Sequence, residues 1–358
     1  MSSPLKLAIF STKSYDKTYL STALSAHPTL SSKTEITYHP FPLSLDTAPL
    51  AAGHTAVCAF VNDTLDAPVL RTLHASGTRV ILLRCAGFNN VDLPAAEEIG
   101  LFVANVPSYS PEAVAEFTLA LLQTLNRNIH KAYNRVREGN FNLEGFLGMT
   151  LHGKTFGIVG VGRIGLALAR IVRGFGCRLL ASDPKPGMSG EEFKAQYGGE
   201  LVELDTLLAE SDIVSLHCPL VPATRHIIDT GNLRKLKKGA LLVNTSRGPL
   251  VNTKAAIEAL KSGQLGGLAL DVYEEEGAYF YNDHSNEVIH DDTLMRLMTF
   301  PNVLVCGHQA FFTREALTEI AGTVLGNLED WVEGRRCVNS LVSEGHLEVP
   351  EGREPVRM

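Results

Sequence analysis

The chain has 358 residues, of which 45% are hydrophobic and 20% are charged, and its formal net charge is −7. This composition is ordinary for a globular protein, and a negative charge without a basic stripe argues against a nucleic-acid partner. No apolar stretch approaches the roughly 18 residues that span a bilayer, so no membrane segment is expected. The length exceeds what one core usually contains, and two domains are therefore predicted.

The six cysteines occur singly, without a Cys-x-x-Cys pair, and most lie in or beside apolar runs. They are expected to be buried thiols, which predicts neither a disulfide framework nor a zinc site. The opening residues, Met1-Ser-Ser-Pro-Leu-Lys6, run directly into a strand pattern, unlike the apolar core of a secretory signal. A cytoplasmic location is the resulting expectation.

Short apolar runs in the first part of the chain are typical of strands separated by helical segments. They are Leu5–Phe10, Ala56–Phe60, Val80–Leu83 and Leu101–Ala104. Near-continuous apolar strands that alternate with helices predict an α/β domain with a parallel sheet. The turns after these strands, such as Ser11-Thr-Lys13, lack a glycine fingerprint. This domain is therefore predicted to contact substrate rather than a nucleotide.

The apolar run Thr155–Val159 is followed at once by the pattern Gly160-x-Gly162-x-x-Gly165 and then by a helical pattern, Leu166–Ile171. In a strand-turn-helix unit the first glycine permits the tight turn and the second lets the backbone approach a pyrophosphate. The third glycine lets the helix pack closely on the strand. The pattern predicts a dinucleotide site.

A second apolar run, Arg178–Ser182, ends at Asp183, about 20 residues past the turn, where dinucleotide sites carry an acid. The Asp183 carboxylate is predicted to hold the adenosine ribose hydroxyls. Its charge would repel the 2′-phosphate of NADP, and Lys185 would offset that repulsion only in part. NAD is therefore the expected cofactor.

Further strand patterns follow at Ile213–Leu216, Ala240–Val243 and Gly267–Leu270, with helical stretches between them. Together with an amphipathic helix that begins at Ser110-Pro111, they predict a doubly wound NAD-binding domain over residues 110–308. The overall prediction is an α/β protein of two Rossmann-like domains with parallel sheets.

A C-terminal helix, from Arg314 to about Gly334, is expected to return to the N-terminal domain. Residues 1–109 and 309–342 would then form a flavodoxin-like substrate domain, joined to the NAD-binding domain by two connections that make a hinge. The segment 343–358, rich in Glu, Gly, Pro and Arg, is predicted to be a disordered tail.

Polar groups follow directly after three apolar runs that are typical of strands, in Asn244-Thr-Ser-Arg-Gly248, Asp271-Val-Tyr-Glu-Glu-Glu276 and Cys306-Gly-His-Gln309. The carboxyl ends of parallel strands face the ligand crevice of an open sheet. Arg247 can fork onto the carboxylate and carbonyl oxygens of a 2-oxo acid, and His308 can pass a proton to the carbonyl oxygen. Taken singly, such an arginine more often forms a salt bridge, and such a histidine is more often structural. The spacing leaves Glu274, Glu275 and Glu276 open as the carboxylate beside the histidine.

Motifs along the chain carry a family resemblance: Ser11-Thr-Lys-Ser-Tyr-Asp16, Arg84-Cys-Ala-Gly-Phe-Asn-Asn-Val-Asp92, Val106-Pro-Ser-Tyr-Ser-Pro-Glu-Ala-Val-Ala-Glu116, Val159-Gly-Val-Gly-Arg-Ile-Gly165, Asn244-Thr-Ser-Arg-Gly248, Asp271-Val-Tyr-Glu274 and Gly307-His-Gln-Ala-Phe311. From about Leu5 to about Val342 the chain resembles the D-specific 2-hydroxyacid dehydrogenases, and within them the fermentative NAD-dependent D-lactate branch. The resemblance implies that Arg247, His308 and Glu276 are catalytic, with Glu276 preferred to its two glutamate neighbours.

The same resemblance implies further contacts. The backbone of Ala86, Gly87 and Phe88 would receive the substrate carboxylate, Tyr109 would close over the substrate, and Phe311 would help to shape its pocket. The cofactor contacts that it adds are Arg163 and Ile164 at the pyrophosphate, His217, Pro219 and Thr245 at the nicotinamide ribose, and Asp271 at the carboxamide. The helix from Ser110 to Arg127, with its extension to Phe141, resembles a dimerisation region, so a homodimer or homotetramer is expected.

The stretch 278–292 resembles an insertion of the D-lactate branch. It contains His284 and His290 with Asp283, Asp291 and Asp292, which are residue types that can ligate metals. Hydride transfer needs no metal, however, and acidic surface loops are common. No metal is predicted.

The predicted function is reversible hydride transfer from NADH to pyruvate, giving D-lactate. One alternative is a dehydrogenase for larger branched or aromatic 2-oxo acids, because side chains near Tyr109, Phe311 and Phe312 set the pocket size. A second alternative is an NAD-sensing scaffold, since corepressors of the C-terminal-binding-protein type share the fold and the Arg/Glu/His set. The insertion and the Ala86-Gly87 loop favour an enzyme. The partner is then a small 2-oxo or 2-hydroxy acid, with neither nucleic acid nor membrane involved.

Overall fold

A computed structural model describes residues 4–343. Within them the chain forms two units, residues 4–110 with 312–343 and residues 111–311. These boundaries lie one and three residues beyond the predicted ones. The second shift has a local cause, because the N–H groups of Gln309 and Ala310 are hydrogen-bonded to Asp271 in the second unit. Apart from Ser343, the predicted disordered tail lies outside the described residues.

The first unit is built on a parallel sheet. Its elements are β1 (Leu5–Ile9), α1 (Ser14–Ala26), β2 (Thr34–Tyr38), β3 (Ala56–Ala59), α2 (Ala67–Ala75), β4 (Val80–Leu83), α3 (Leu93–Glu98) and β5 (Phe102–Ala104). The strand order β2-β1-β3-β4-β5 is flavodoxin-like, as predicted. Strands β3 and β4 are buried along their whole length, which accounts for their continuous apolar sequences. Strand β2 is not among the predicted strands, because its sequence, Thr-Glu-Ile-Thr-Tyr, is that of a partly exposed edge strand.

The second unit is a doubly wound parallel sheet, as predicted. Its elements are α4 (Pro111–Asn126), α5 (Ile129–Arg137), β6 (Thr155–Val159), α6 (Arg163–Gly174), β7 (Arg178–Ser182), α7 (Gly190–Tyr197), β8 (Glu200–Leu201), α8 (Leu204–Glu210), β9 (Ile213–Leu216), α9 (Thr230–Lys235), β10 (Ala240–Asn244), α10 (Thr253–Lys261), β11 (Leu265–Leu270), α11 (Asp292–Met298) and β12 (Val303–Val305). The strand order is β12-β11-β10-β9-β6-β7-β8. The order reverses between β6 and β9, and this switch point opens the crevice in which such sheets bind ligands.

Helices cover both faces of this second sheet. On one face Ile158 and Val243 pack with the apolar side of α4 and α6. On the other face Val214 and Leu242 pack with α8, α9 and α10. Burial on both faces accounts for strands without alternating polar residues. In the described part of the chain no helix has the length and apolar character needed to cross a membrane.

Helix α12 (Arg314–Val332) returns to the first unit, where it packs against α1 and β4, as predicted. Thr313 caps its N-terminus, because its hydroxyl accepts a hydrogen bond from the N–H of Ala316. After the helix the chain runs along β5, where Ser340 forms an antiparallel bridge with Ala104. The C-terminal stretch therefore covers the open edge of the first sheet.

Candidate active site

The turn between β6 and α6 has the backbone geometry of a phosphate cradle. Gly160 has a φ of +98°, and a Cβ atom there would lie 2.6 Å from a backbone nitrogen of the neighbouring loop. A Cβ atom on Gly165 would collide with the carbonyl oxygen of Gly160. Gly162 is the N-cap of α6, so the N–H groups of the first helical turn, beginning with Arg163 and Ile164, lack partners within the helix. Such a helix start favours an anion.

Asp183 lies at the end of β7 and is tied to this turn. Its Oδ2 accepts a hydrogen bond from the N–H of Val161 at 3.0 Å, and its Oδ1 accepts one from the N–H of Lys185 at 2.8 Å. The carboxylate is thus held beside the glycine turn, in the position where a dinucleotide site places its ribose-binding acid. The glycine cradle and this carboxylate together fit a dinucleotide.

The residues predicted to line the nicotinamide ribose lie at the ends of β9 and β10. His217 is 2% exposed, and its Nε2 lies 2.8 Å from the hydroxyl oxygen of Ser215. Burial lowers the pKa of His217 to about 3, so this imidazole is neutral. Thr245 shares a hydrogen bond of 2.7 Å with Thr118 of α4, and the Pro219 carbonyl accepts from a threonine hydroxyl in its own loop. These three residues are uncharged, and hydrogen bonds link each of them to a neighbouring side chain.

Arg247 follows β10 in a loop that its neighbours hold in place. The Asn244 side chain donates to the Arg247 carbonyl oxygen at 2.8 Å and accepts from the N–H of Ser246 at 3.0 Å. The Ser246 hydroxyl in turn donates to the Cys218 carbonyl oxygen. These hydrogen bonds fix the backbone of the loop from which the partly buried Arg247 side chain extends.

Asp271, at the end of β11, clamps the loop that carries His308. Its carbonyl oxygen accepts from the N–H of His308 at 2.7 Å, and its two carboxylate oxygens accept from those of Gln309 and Ala310. His308 is held in the left-handed region, with a φ of +55°, which residues other than glycine adopt rarely. Burial raises the pKa of Asp271 to about 6, and the donors and His308 act in the opposite direction. The contact to the nicotinamide carboxamide implied by the family resemblance stays a prediction.

The clamp presents His308 to Glu276. The Nδ1 atom of His308 lies 2.8 Å from Oε1 of Glu276, whose other oxygen accepts from the N–H of Tyr273 at 2.9 Å. An ionised carboxylate can only accept, so Nδ1 carries a proton and the ring is oriented. Within the described residues, the opposite nitrogen, Nε2, has no hydrogen-bond partner, and the side chain is 15% exposed. His308 can therefore exchange a proton through Nε2.

The neighbouring Glu274 is engaged elsewhere. Its Oε1 lies 2.6 Å from Nε2 of His226, and its Oε2 accepts from the N–H of Thr253 at 2.8 Å. Burial opposes ionisation, but the hydrogen bonds from Thr253 and His226 outweigh it and lower the pKa of Glu274. Of the carboxylates that spacing left open, Glu276 is the one hydrogen-bonded to His308.

Sequence reasoning did not single out Tyr281, which lies in the predicted insertion. Its hydroxyl donates to the His308 carbonyl oxygen at 3.4 Å, and its ring centroid lies 5.7 Å from that of the imidazole. Nothing in a non-periodic insertion distinguishes this tyrosine from Tyr279 beside it. The metal-type residues of the insertion have local roles: Asp291 caps α11 and His284 pairs with Glu287. In the described residues no group of three or more such side chains could hold a metal ion.

The predicted substrate residues are divided between the two units. Phe311 belongs to the second unit, and Ala86, Gly87, Phe88 and Tyr109 belong to the first. Ala86 and Gly87 are buried. They lie in the loop after β4, in which an arginine that is also buried precedes them. That arginine, Arg84, donates to the Asp16 carboxylate at 3.1 Å, so two of the motifs that carry the family resemblance are in contact. 

Comparison with known proteins identifies the family. Residues 119–310 match the family model described as "D-isomer specific 2-hydroxyacid dehydrogenase, NAD binding domain". "2-hydroxyacid dehydrogenase A" of Aspergillus oryzae is 71% identical and covers 99% of this chain and 100% of its own length. The apo-structure of the Escherichia coli D-lactate dehydrogenase is 49% identical, with a TM-score of 0.83, over 94% of this chain and 100% of that one. A structure of the Chlamydomonas reinhardtii pyruvate reductase is 42% identical, with a TM-score of 0.86, over 94% and 99% of the two chains.

The chain belongs to the D-isomer specific 2-hydroxyacid dehydrogenases. It is an NAD-dependent oxidoreductase, which confirms the prediction of the cofactor and of an enzyme rather than a scaffold. The site residues described above supply, in one unit, a dinucleotide cradle, an arginine and a carboxylate-bound histidine. 

Proposed function

We propose that this enzyme reduces pyruvate to D-lactate with NADH and also catalyses the reverse reaction. The observation that carries the proposal is the hydrogen bond between His308 and Glu276, which leaves Nε2 of the imidazole open for proton exchange. The names of its relatives support pyruvate as substrate, since a D-lactate dehydrogenase and a pyruvate reductase align over nearly its whole length.

In this mechanism NADH, when bound, supplies the hydride that the carbonyl carbon receives. His308 donates the Nε2 proton to the carbonyl oxygen as the C–O double bond becomes single. Glu276 keeps the proton on Nδ1, so the neutral imidazole that remains has a bare Nε2 and can accept a proton from D-lactate in the reverse direction.

Arg247 orients and polarises the substrate through paired hydrogen bonds from its planar guanidinium group. The backbone N–H groups of Ala86, Gly87 and Phe88 receive the carboxylate, and Tyr109 and Phe311 set the space for the substrate side chain. A substrate held in this way reacts faster because orientation is fixed before the transfer.

The alternative substrate class is that of larger branched or aromatic 2-oxo acids. Initial rates of NADH oxidation with pyruvate, 2-oxoisocaproate and phenylpyruvate distinguish the two. We expect the highest kcat/KM with pyruvate, and oxidation of D-lactate but not L-lactate. A higher kcat/KM with either larger acid would assign the enzyme to that substrate class. Turnover of none of the three acids would contradict the proposal.

We expect Asp183→Ser to weaken NADH binding and to raise the relative activity with NADPH. The change removes the charge that repels a 2′-phosphate and the hydrogen bond that Oδ2 accepts from Val161. The ratio of kcat/KM values for the two cofactors measures the effect. Asp205→Ser is the control, because Asp205 is an exposed partner of Lys235 in the same unit. An unchanged ratio in Asp183→Ser would assign cofactor choice to other residues.

We propose that the enzyme is a homodimer or homotetramer. Large apolar side chains are exposed in and after α5, including Ile129, Phe141, Leu143 and Leu147, the last with 97% of its surface exposed. An apolar patch of this kind marks an interaction surface, and a second copy would cover it. Light scattering after size exclusion gives the mass, and a monomer would contradict the proposal.

We also propose a cytoplasmic location. All six cysteines lie in the described part of the chain, and none of them forms a disulfide. Free thiols are typical of a reducing compartment. Fractionation of cells that express the protein would test this.

A further inference from the structure

Two side chains form hydrogen bonds with carbonyl oxygens of the loop that Ala86, Gly87 and Phe88 make up. Asn105 is 2% exposed, and its Nδ2 donates to the Ala86 carbonyl oxygen at 2.8 Å. The Cys85 thiol donates to the Gly87 carbonyl oxygen at 3.2 Å. Two successive carbonyl groups of the loop are therefore fixed by hydrogen bonds within the first unit.

Fixing these carbonyl groups also fixes the direction of the N–H groups. The described chain has no cis peptide bonds, and in a trans peptide the C=O and N–H bonds point in opposite directions. The N–H groups of Gly87 and Phe88 are therefore directed away from the Asn105 amide and the Cys85 thiol. Neither has an acceptor within residues 4–343. Neighbouring N–H groups without internal acceptors suit a carboxylate.

Asn105 is itself fixed by a second buried amide. Asn327 of α12 is 2% exposed, and its Nδ2 donates to the Asn105 carbonyl oxygen at 2.8 Å. The Asn327 Oδ1 accepts from Nδ2 of Asn339 at 2.8 Å and from the Cys337 thiol at 3.4 Å. Three amides thus connect α12 and the C-terminal stretch to the loop. Such a network is costly to bury unless each group is satisfied, and here each amide has a defined donor role.

We propose that Asn105 is a positioning residue for substrate binding. Its amide orients the Ala86–Gly87 peptide so that the N–H of Gly87 meets the substrate carboxylate. This inference rests on the proposed function, in which the loop receives that carboxylate. A purely structural role of Asn105 would affect stability alone, whereas a positioning role also affects the KM for pyruvate.

The test compares Asn105→Ala and Asn105→Asp with the wild-type enzyme. Loss of the amide donor should raise the KM for pyruvate by up to about tenfold with little change in kcat, as for a binding interaction kept in the transition state. The dissociation constant for NADH should not change. In Asn105→Asp, burial favours the neutral acid at low pH, and its O–H can replace the lost donor. The ratio of variant to wild-type KM should then fall toward acid pH for Asn105→Asp but not for Asn105→Ala.

Thr78→Val is the matched control. Thr78 is fully buried in the same unit and donates to the His54 carbonyl oxygen at 3.2 Å, so the variant also loses one buried hydrogen bond. We expect a similar loss of thermal stability with a wild-type KM. The same rise in KM for Thr78→Val, or a wild-type KM for Asn105→Ala, would overturn the inference.

If the Asn105 variants do not fold, Asn339→Ala removes only the outer, half-buried link of the network. It should raise the KM for pyruvate by about twofold to threefold, and an unchanged KM would overturn the inference. Wild-type turnover separates the two proposals. If the wild-type enzyme reduces no 2-oxo acid, both proposals fail. If it is active and the variants behave like the wild type, only the proposed role of Asn105 fails.

Discussion

Replacing His308 with glutamine is expected to lower the kcat of pyruvate reduction by about 10²- to 10⁴-fold at every pH. Glutamine can fill the space and hydrogen-bond to Glu276, but it cannot donate a proton to the carbonyl oxygen. Steady-state kcat measures the loss, and an unchanged dissociation constant for NADH shows that the cofactor site is intact. A variant with near-normal kcat would remove His308 from the chemistry.

Glu276→Gln tests the partner of that histidine. Pyruvate reduction requires the protonated imidazole, which the carboxylate 2.8 Å away stabilises by its opposite charge. Without that charge the protonated imidazole is less favoured, so the alkaline limb of the reductive rate should move in the acid direction. D-lactate oxidation requires the neutral imidazole, and its acid limb should move in the same direction.

The control for this profile is Glu274→Gln, two residues away. Glu274 is bonded to His226 and to the N–H of Thr253, so its variant should keep the wild-type alkaline limb. The assignment of Glu276 fails if its own variant keeps that limb, or if the two variants shift it equally.

Arg247→Lys should lower kcat/KM for pyruvate by at least two orders of magnitude, a loss of about 3 kcal/mol or more in transition-state binding. Lysine keeps the charge but not the planar fork that makes paired hydrogen bonds. NADH affinity should barely change. Arg178→Lys is the control, because Arg178 is an exposed ion-pair residue of the same unit and should tolerate lysine. A near-normal kcat/KM in Arg247→Lys would indicate that Arg247, like Arg178, is an ion-pair residue.

Local patterns in the sequence predicted most of the fold. Strands buried on both faces must be continuously apolar. Gly165 is required by a contact with Gly160 in the same turn, and Gly160 is required by its positive φ. Arg247 and His308 were predictable because each lies in the segment that follows the end of a strand, where parallel sheets place their ligands. Strand β2 escaped prediction because an edge strand lacks that continuous apolar signal.

By itself, then, the sequence determined the two parallel-sheet domains, the glycine turn, the cofactor and the strand ends beside which the proposed catalytic residues lie. These depend on periodicity and on backbone sterics, which act over short distances along the chain. The tertiary structure shows that Glu276 rather than Glu274 is bonded to His308, a choice that spacing left open and the family resemblance implied. Only the tertiary structure decided that Asp271 clamps the histidine loop and that Asn105 holds Ala86. Each of these contacts depends on the conformation of a loop, such as the left-handed backbone of His308, that is imposed by partners distant in the sequence. Spacing alone does not specify such directional hydrogen bonds, because a change of one loop dihedral angle turns a side chain toward a different partner.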